Sequence, residues 1–266
     1  MTTDTIAFIG GGNMASAIIG GLIRQGLPPA QISVVEPFAQ ARQALLEQHG
    51  VQATEAADAS LADAQVLVWA VKPQNFAEAA TRVQVHLKGE LLQLSVMAGI
   101  RSTAMAEATG QDRIVRAMPN TPARVGQGVT AISSGTHVTD DHLAEVGEIL
   151  GAVGGVITVA EKYQDSVTAV SGSGPAYLFL VAEALIEGGV HVGLPRDVAR
   201  ELAVQTLHGS ATLLRDTGDH PTLLREAVTS PGGTTAAALR ALEDHGVRAA
   251  FLAAVEAARD RSLELG

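Results

Sequence analysis

The chain has 266 residues, a net charge of −10 and no cysteine. Without cysteine there are no disulfides, no thiolate metal site and no cysteine nucleophile, and the acidic balance argues against nucleic acid or an anionic membrane as partner. Hydrophobic residues make up 47% and aromatics only 3%, so a sizeable core is expected, built from Ala, Val, Leu and Ile, in one large domain or two smaller ones.

Met1-Thr2-Thr3-Asp4 leads straight into the first predicted strand and leaves no room for a signal peptide. Ile6–Ile9 is a short apolar run that stops at a glycine turn. Gly10, Gly12 and Ala15 fit the spacing G-x-G-x-x-G/A of a dinucleotide fingerprint. In that fingerprint the first glycine makes the tight turn and the second lets a pyrophosphate approach the backbone. The third small residue lets the following helix, predicted over Met14–Gln25, pack on the strand. The segment Gly10, Gly12, Asn13 and Met14 is thus the expected phosphate-binding turn, with the positive end of the helix aimed at the ligand.

Ile32–Glu36 reads as a second strand ended by Pro37, and Gln40–His49 as a helix with Gly50 as C-cap. Glu36 stands where the fingerprint's acidic residue meets the ribose hydroxyls, which favours NAD over NADP. A solvated strand-end glutamate is the alternative, and nearby Arg42 blurs the choice of cofactor. Val66–Val71 is a wholly apolar third strand, as a parallel sheet covered on both faces requires. Ala70, Val71, Lys72 and Pro73 lie at its carboxyl end, where doubly wound sheets bind ligands; a surface lysine is the plainer reading of Lys72. Leu91–Val96, Ile114–Met118, Val129–Ser133 and Val156–Val159 complete the predicted strands. Met118-Pro119-Asn120-Thr121-Pro122 leaves the fifth of them with a backbone fixed by two prolines, offering an amide and a hydroxyl; a structural turn would use the same residues.

Beyond Glu161 no strand is expected, and Ala- and Leu-rich helices are predicted over 175–190, 196–215, 221–228, 234–244 and 247–263. Residues 1–160 then form a doubly wound Rossmann-type domain and 161–266 an all-helical domain. The nearly apolar run Ala176–Ile186 is interrupted by Glu183 and is too short to span a bilayer; its apolarity marks a helix buried in a bundle or between subunits. A cytoplasmic protein is expected. Ser171-Gly172-Ser173-Gly174-Pro175 reads as a cap with proline in the first turn of a helix. Ser230-Pro231-Gly232-Gly233-Thr234-Thr235 also precedes a helix, and two glycines there suggest N–H groups free to hold a carboxylate. The eight histidines show no ligand spacing, so no metal is expected.

Arg116–Pro122, Ser171–Tyr177 and Ser230–Thr235, in this order and spacing, resemble Δ1-pyrroline-5-carboxylate reductase along nearly the whole chain. That resemblance implies a Rossmann domain, a helical domain that dimerises, decamers built from dimers, and reduction of a cyclic imine by NADPH or NADH. It implies that Thr235 hydrogen-bonds the ring nitrogen, and that Ser230, Gly232, Gly233 and Thr234 hold the substrate carboxylate. Lys72, Pro73, Met118 and Asn120 would lie around the nicotinamide. Glu36-Pro37-Phe38 departs from the small hydroxyl or basic residues of NADPH-preferring members. A β-hydroxyacid dehydrogenase would need a lysine on the helix after Gly172-Ser173-Gly174, and none stands there. A nucleotide sensor without catalysis would have no use for the glycine–threonine loop.

Overall fold

The computed structural model describes residues 5–87 and 91–265. The chain divides into two compact units, the first running to Ser173 and taking in the chain from Ala258 on, the second Gly174–Ala257.

In the first unit β1 (Ile6–Ile9), α1 (Asn13–Arg24), β2 (Ile32–Val35), α2 (Ala39–His49), β3 (Ala53–Thr54) and β4 (Val66–Trp69) are followed by α3 (Phe76–Val83), β5 (Leu92–Ser95), α4 (Ser102–Thr109) and β6 (Ile114–Met118). Then come β7 (Gly128–Ser134), α5 (Asp140–Gly151), β8 (Gly154–Thr158) and the short α6 (Gln164–Val167). The strands form one sheet in the order β3-β2-β1-β4-β5-β6-β7-β8. All pairs are parallel except β6 with β7. The order reverses between β1 and β4, and in such sheets ligands bind at that point, beyond the carboxyl ends of the strands.

Alternation along the strands builds two core layers. Ile6 and Phe8 of β1, with Val66 and Val68 of β4, pack under Ile18, Ile19 and Leu22 of α1 and Val146, Ile149 and Leu150 of α5. Ala7, Ile9, Leu67 and Trp69 face the other way, against Phe76 and Met105. Trp69 meets Phe76 edge to face at 5.2 Å, and its buried Nε1 donates to Gln93 Oε1 at 2.6 Å. Without that acceptor the indole N–H would sit unpaired in the core. The predicted strands are all present with ends shifted by a residue or two. Glu36, Ala70 and Val71 lie just past the ladders rather than in them.

The second unit holds α7 (Gly174–His191), α8 (Arg196–Thr217), α9 (Pro221–Ala227), α10 (Thr234–Asp244) and the greater part of α11 (Val247–Leu265). α7 and α8 pack closely through small residues: a Cβ on Gly189 would stand 2.9 Å from that of Ala199. Gly193, at φ +101°, turns the chain between them, and Arg196 grips Glu187 with two hydrogen bonds of 2.6 and 3.1 Å. Leu178, Phe179, Leu180 and Leu185 of α7 are left exposed.

One expectation is corrected here. Pro175 does stand in the first turn of α7, but Ser173 and Gly174 cap no free helix end: residues 164–167 are α-helical, Thr168–Gly172 is a π turn, and α7 follows from Gly174. The Ser173 N–H donates to Thr168 O at 2.8 Å, so the motif widens a helix instead of capping one. Glu161–His191 is a helical run of 31 residues that by length and composition alone would suffice to cross a membrane.

Candidate active site

The three strand ends at the switch point are tied together by backbone. Gly10 N–H donates to Val35 O, and Ala70 N–H to Ile9 O, both at 2.8 Å. Gly10 has φ +96°, and a Cβ there would stand 2.7 Å from Ala70 O and 3.1 Å from Val71 Cγ1. The fold itself therefore demands the first glycine.

Gly12 is different. Its φ of −73° and ψ of −171° suit any residue, and a Cβ built on it meets nothing within 4 Å. The folded chain has no need of glycine here; a ligand that must lie against the backbone does. Gly12 is also the N-cap of α1 and has no side chain to cap it. The first N–H groups, at Asn13, Met14 and Ala15, thus carry no side-chain cap. Ala15 is fully buried under the sheet, which allows the close packing of helix on strand.

Glu36 is not solvated: it is 6% exposed. Its Oε2 accepts the Gly11 N–H at 2.8 Å and its Oε1 the Phe38 N–H at 2.9 Å. Charge-assisted bonds of this kind are about twice as strong as neutral ones, and they fix the glycine turn to the end of β2. Arg42 is committed as well. Its Nη1 donates to Glu36 O and Pro37 O at 2.9 and 2.8 Å, and its Nη2 to Glu55 Oε2 at 3.3 Å. The guanidinium serves backbone carbonyls that the strand end leaves unpaired.

Lys72 is exposed and precedes a short 3-10 turn, Pro73–Asn75, with proline at its start. Its carbonyl accepts from Asn75 N at 2.9 Å. At the same edge of the sheet, two strands over, Asn120 is 8% exposed. Its Oδ1 accepts the Val129 N–H at 3.0 Å and its Nδ2 donates to Ser171 O at 3.1 Å. Met118 ends against the π turn: a Cβ on Gly172 would stand 2.6 Å from its terminal methyl. The motif arginine, Arg116, is almost wholly buried and meets Glu161 at 3.5 Å. Glu161 also accepts from the Ser102 N–H at 2.8 Å and hydroxyl at 2.6 Å. Ser102 and Glu161 belong to none of the sequence motifs, and Arg116 enters only as the first residue of one. A charged residue inside the otherwise apolar strand Ile114–Met118 was the available signal.

The remaining candidates lie in the second unit. Gly232 has φ +70° and Gly233 packs against Ser230 Oγ; the Gly233 N–H donates to Ser230 O at 3.0 Å. The positive φ accounts for Gly232, whereas Gly233 has extended backbone of φ −78° and ψ 176° and lies against the Ser230 hydroxyl. The consequence is that α10 has Gly233 as N-cap and no side chain capping its first turn. Thr234 is exposed and Thr235 half-buried at that end. Among the described residues no group of three His, Asp or Glu is placed to hold a metal ion.

A doubly wound sheet with an open glycine turn, an uncapped helix end and a buried acid at the end of β2 defines a dinucleotide-dependent oxidoreductase of the Rossmann class. Residues 5–99 match the family model described as NADP oxidoreductase, coenzyme F420-dependent, and residues 161–265 the one described as pyrroline-5-carboxylate reductase dimerisation. The chain is 43% identical over 261 residues to the pyrroline-5-carboxylate reductase of Arabidopsis thaliana, covering 98% of this chain and 95% of that one. The solved structure of a pyrroline-5-carboxylate reductase from Coxiella burnetii is similar with a TM-score of 0.91 and 38% identity, covering 100% of this chain and 99% of the other. The Plasmodium falciparum pyrroline carboxylate reductase, solved with NADP bound, gives 0.88 at 29% identity, covering 100% and 99%. The chain belongs to the pyrroline-5-carboxylate reductase family.

Proposed function

We propose that the protein reduces Δ1-pyrroline-5-carboxylate to L-proline with NAD(P)H, the last step of proline biosynthesis. The observation that carries the reading is the open space over Gly12 at an uncapped helix end, a cradle fitted to a pyrophosphate. Family membership supplies the substrate. Gly10, Gly12, Asn13 and Met14 hold the pyrophosphate and Glu36 the ribose. Ala70, Val71, Lys72, Pro73, Met118 and Asn120 border the nicotinamide end. The dinucleotide, when bound, supplies the hydride that reduces the imine carbon.

The protein's own part is orientation and electrostatics. Ser230, Gly232, Gly233 and Thr234 hold the substrate carboxylate at the uncapped start of α10, where the positive helix end favours an anion. The Thr235 hydroxyl hydrogen-bonds the ring nitrogen and orients the ring. Functionally, residues 1–160 are the dinucleotide domain and 161–266 the dimerisation and substrate domain. The exposed apolar residues of α7 support a homodimer, from which a decamer is assembled, and the enzyme acts in the cytoplasm. NADH is preferred, since the Glu36 carboxylate repels a 2′-phosphate and Arg42 is already spoken for. The test is absorbance loss of NADH and NADPH, in parallel, on addition of pyrroline-5-carboxylate. Oxidation is expected with both and faster with NADH; no oxidation with either overturns the reading.

A further inference from the structure

The motif Ser171–Pro175 does not cap a helix, and its geometry poses a local problem. Pro175 has no N–H, so in a helix the carbonyl four residues back, that of Ser171, loses its donor, and the proline ring crowds it as well. The chain meets both difficulties. The π turn Thr168–Gly172 widens the helix where the ring must fit, and Asn120 Nδ2 donates to Ser171 O at 3.1 Å. The orientation of the amide is unambiguous, because its other end must accept the Val129 N–H. Asn120 thus ties together the end of β6, the start of β7 and the π turn. Met118, two residues before it, has its methyl on Gly172, with Thr168 Cγ2 also 3.6 Å from a Cβ placed there. π turns inside helices are rare and concentrate at functional sites.

We propose that Asn120 is a positioning residue of the reductase. Its amide replaces the missing N–H of Pro175, fixes the π turn, and so sets Met118 at the nicotinamide end of the site. This rests on the reductase reading, and activity of the wild-type enzyme on pyrroline-5-carboxylate tests that reading separately, before any variant is compared.

Asn120→Asp keeps the acceptor for Val129 but turns an oxygen toward the Ser171 carbonyl. Adding Pro175→Ala gives the helix an N–H that can serve Ser171 O again. Small misplacements of reacting groups cost up to about 100-fold in rate. Asn120→Asp should lower kcat on the order of 10- to 100-fold with little change in KM for pyrroline-5-carboxylate. The isotope effect from 4-deuterated NADH should rise as hydride transfer becomes limiting. Pro175→Ala in the same chain should recover most of the loss. Wild-type kcat and isotope effect in Asn120→Asp, or no recovery in the double variant, overturns the proposal. If Asn120→Asp does not fold, Gly172→Ala decides. It displaces the Met118 methyl and leaves Asn120 bonded, so a lower kcat at unchanged KM supports the proposal and an unchanged kcat refutes it.

Discussion

Gly10 and Gly12 belong to one fingerprint, yet alanine should act on them in opposite ways. At Gly10 the backbone has φ +96° and the new methyl would stand 2.7 Å from Ala70 O. Left-handed backbone costs a residue with a Cβ about 1–2 kcal/mol, and overpacking adds about 1–3 kcal/mol. Gly10→Ala should therefore lose about 2–5 kcal/mol of stability, a fall in Tm of roughly 4–20 °C at about 2–4 °C per kcal/mol for a chain of this size. At Gly12 the backbone is ordinary and nothing lies within 4 Å of the new methyl. Stability should stay within about 0.5 kcal/mol. The methyl instead occupies the space through which a phosphate reaches the N–H groups, and a lost hydrogen bond to a charged group is worth about 1.5–3 kcal/mol. The Kd for NADH should rise roughly 10- to 150-fold. Thermal unfolding of the ligand-free protein and titration of NADH fluorescence separate the two effects. If Gly12→Ala binds NADH as wild type does, the open space is not a cofactor cradle. If it loses as much stability as Gly10→Ala, the packing argument is wrong.

Glu36→Gln keeps an acceptor for one of the N–H groups at the glycine turn and removes the negative charge. The ratio of kcat/KM for NADPH over NADH should rise about ten-fold, the equivalent of about 1.4 kcal/mol, and an unchanged ratio would show that Glu36 only braces the turn. Thr235→Val removes the hydroxyl and keeps the shape, so kcat/KM for pyrroline-5-carboxylate should fall roughly 10- to 150-fold for a bond of about 1.5–3 kcal/mol; Thr235→Ser should retain most activity, and wild-type turnover by the valine variant refutes the role. His49, bonded to Ser16 Oγ at 2.8 Å, has its pKa held below the ordinary 6.5 first by burial and then by Arg24. Its contribution to stability is complete above pH 6.5 and is lost as the pH falls toward the lowered folded value; His49→Gln should flatten that part of the Tm curve, and parallel curves for both proteins would refute the assignment. Light scattering at micromolar concentration should find dimers or larger assemblies, and a stable, fully active monomer would sink the dimer.

Strands such as Ile6–Ile9 and Val66–Trp69 were legible because both their faces are buried, which leaves only apolar residues in the run. Their ends were not: β2 stops at Val35, one residue short of Glu36, whose carboxylate accepts from Gly11 of another turn. The two-residue β3 is too short to carry a pattern. Ser171–Pro175 carries the letters of a helix start, while the helical run continues through it by a π turn, with Ser171 O bonded to the amide of Asn120, 51 residues earlier. Of the glycine pair at 232–233, which points to a ligand on composition, the turn itself requires only Gly232, at φ +70°. Gly12 stands out in the sequence as the glycine that lets a pyrophosphate approach, and the empty space above it shows that the fold itself does not need it.

That same long helix decides which partner its apolar face calls for. Glu161–His191 has the length of a membrane span, but its first turns are committed elsewhere: Gln164 and Ala169 are fully buried, and Gln164 donates to Ala131 O and Ser133 Oγ at the sheet. What remains is α7, 18 residues, at the lower end of the roughly 17–25 that hydrocarbon requires. It carries Glu183 and Glu187, the latter gripped by Arg196 at an exposed turn. A charged side chain at the bilayer centre costs about 2.5–3.5 kcal/mol even on the mildest scale. A protein interface has no such difficulty, because its rim is polar and wet while its centre is apolar. Leu178, Phe179, Leu180 and Leu185 supply exposed apolar area, and Glu183 and Glu187 stand among them on the same helix. Residues 161–265 match a domain described as pyrroline-5-carboxylate reductase dimerisation, and an exposed apolar helix that carries charges suits burial against protein.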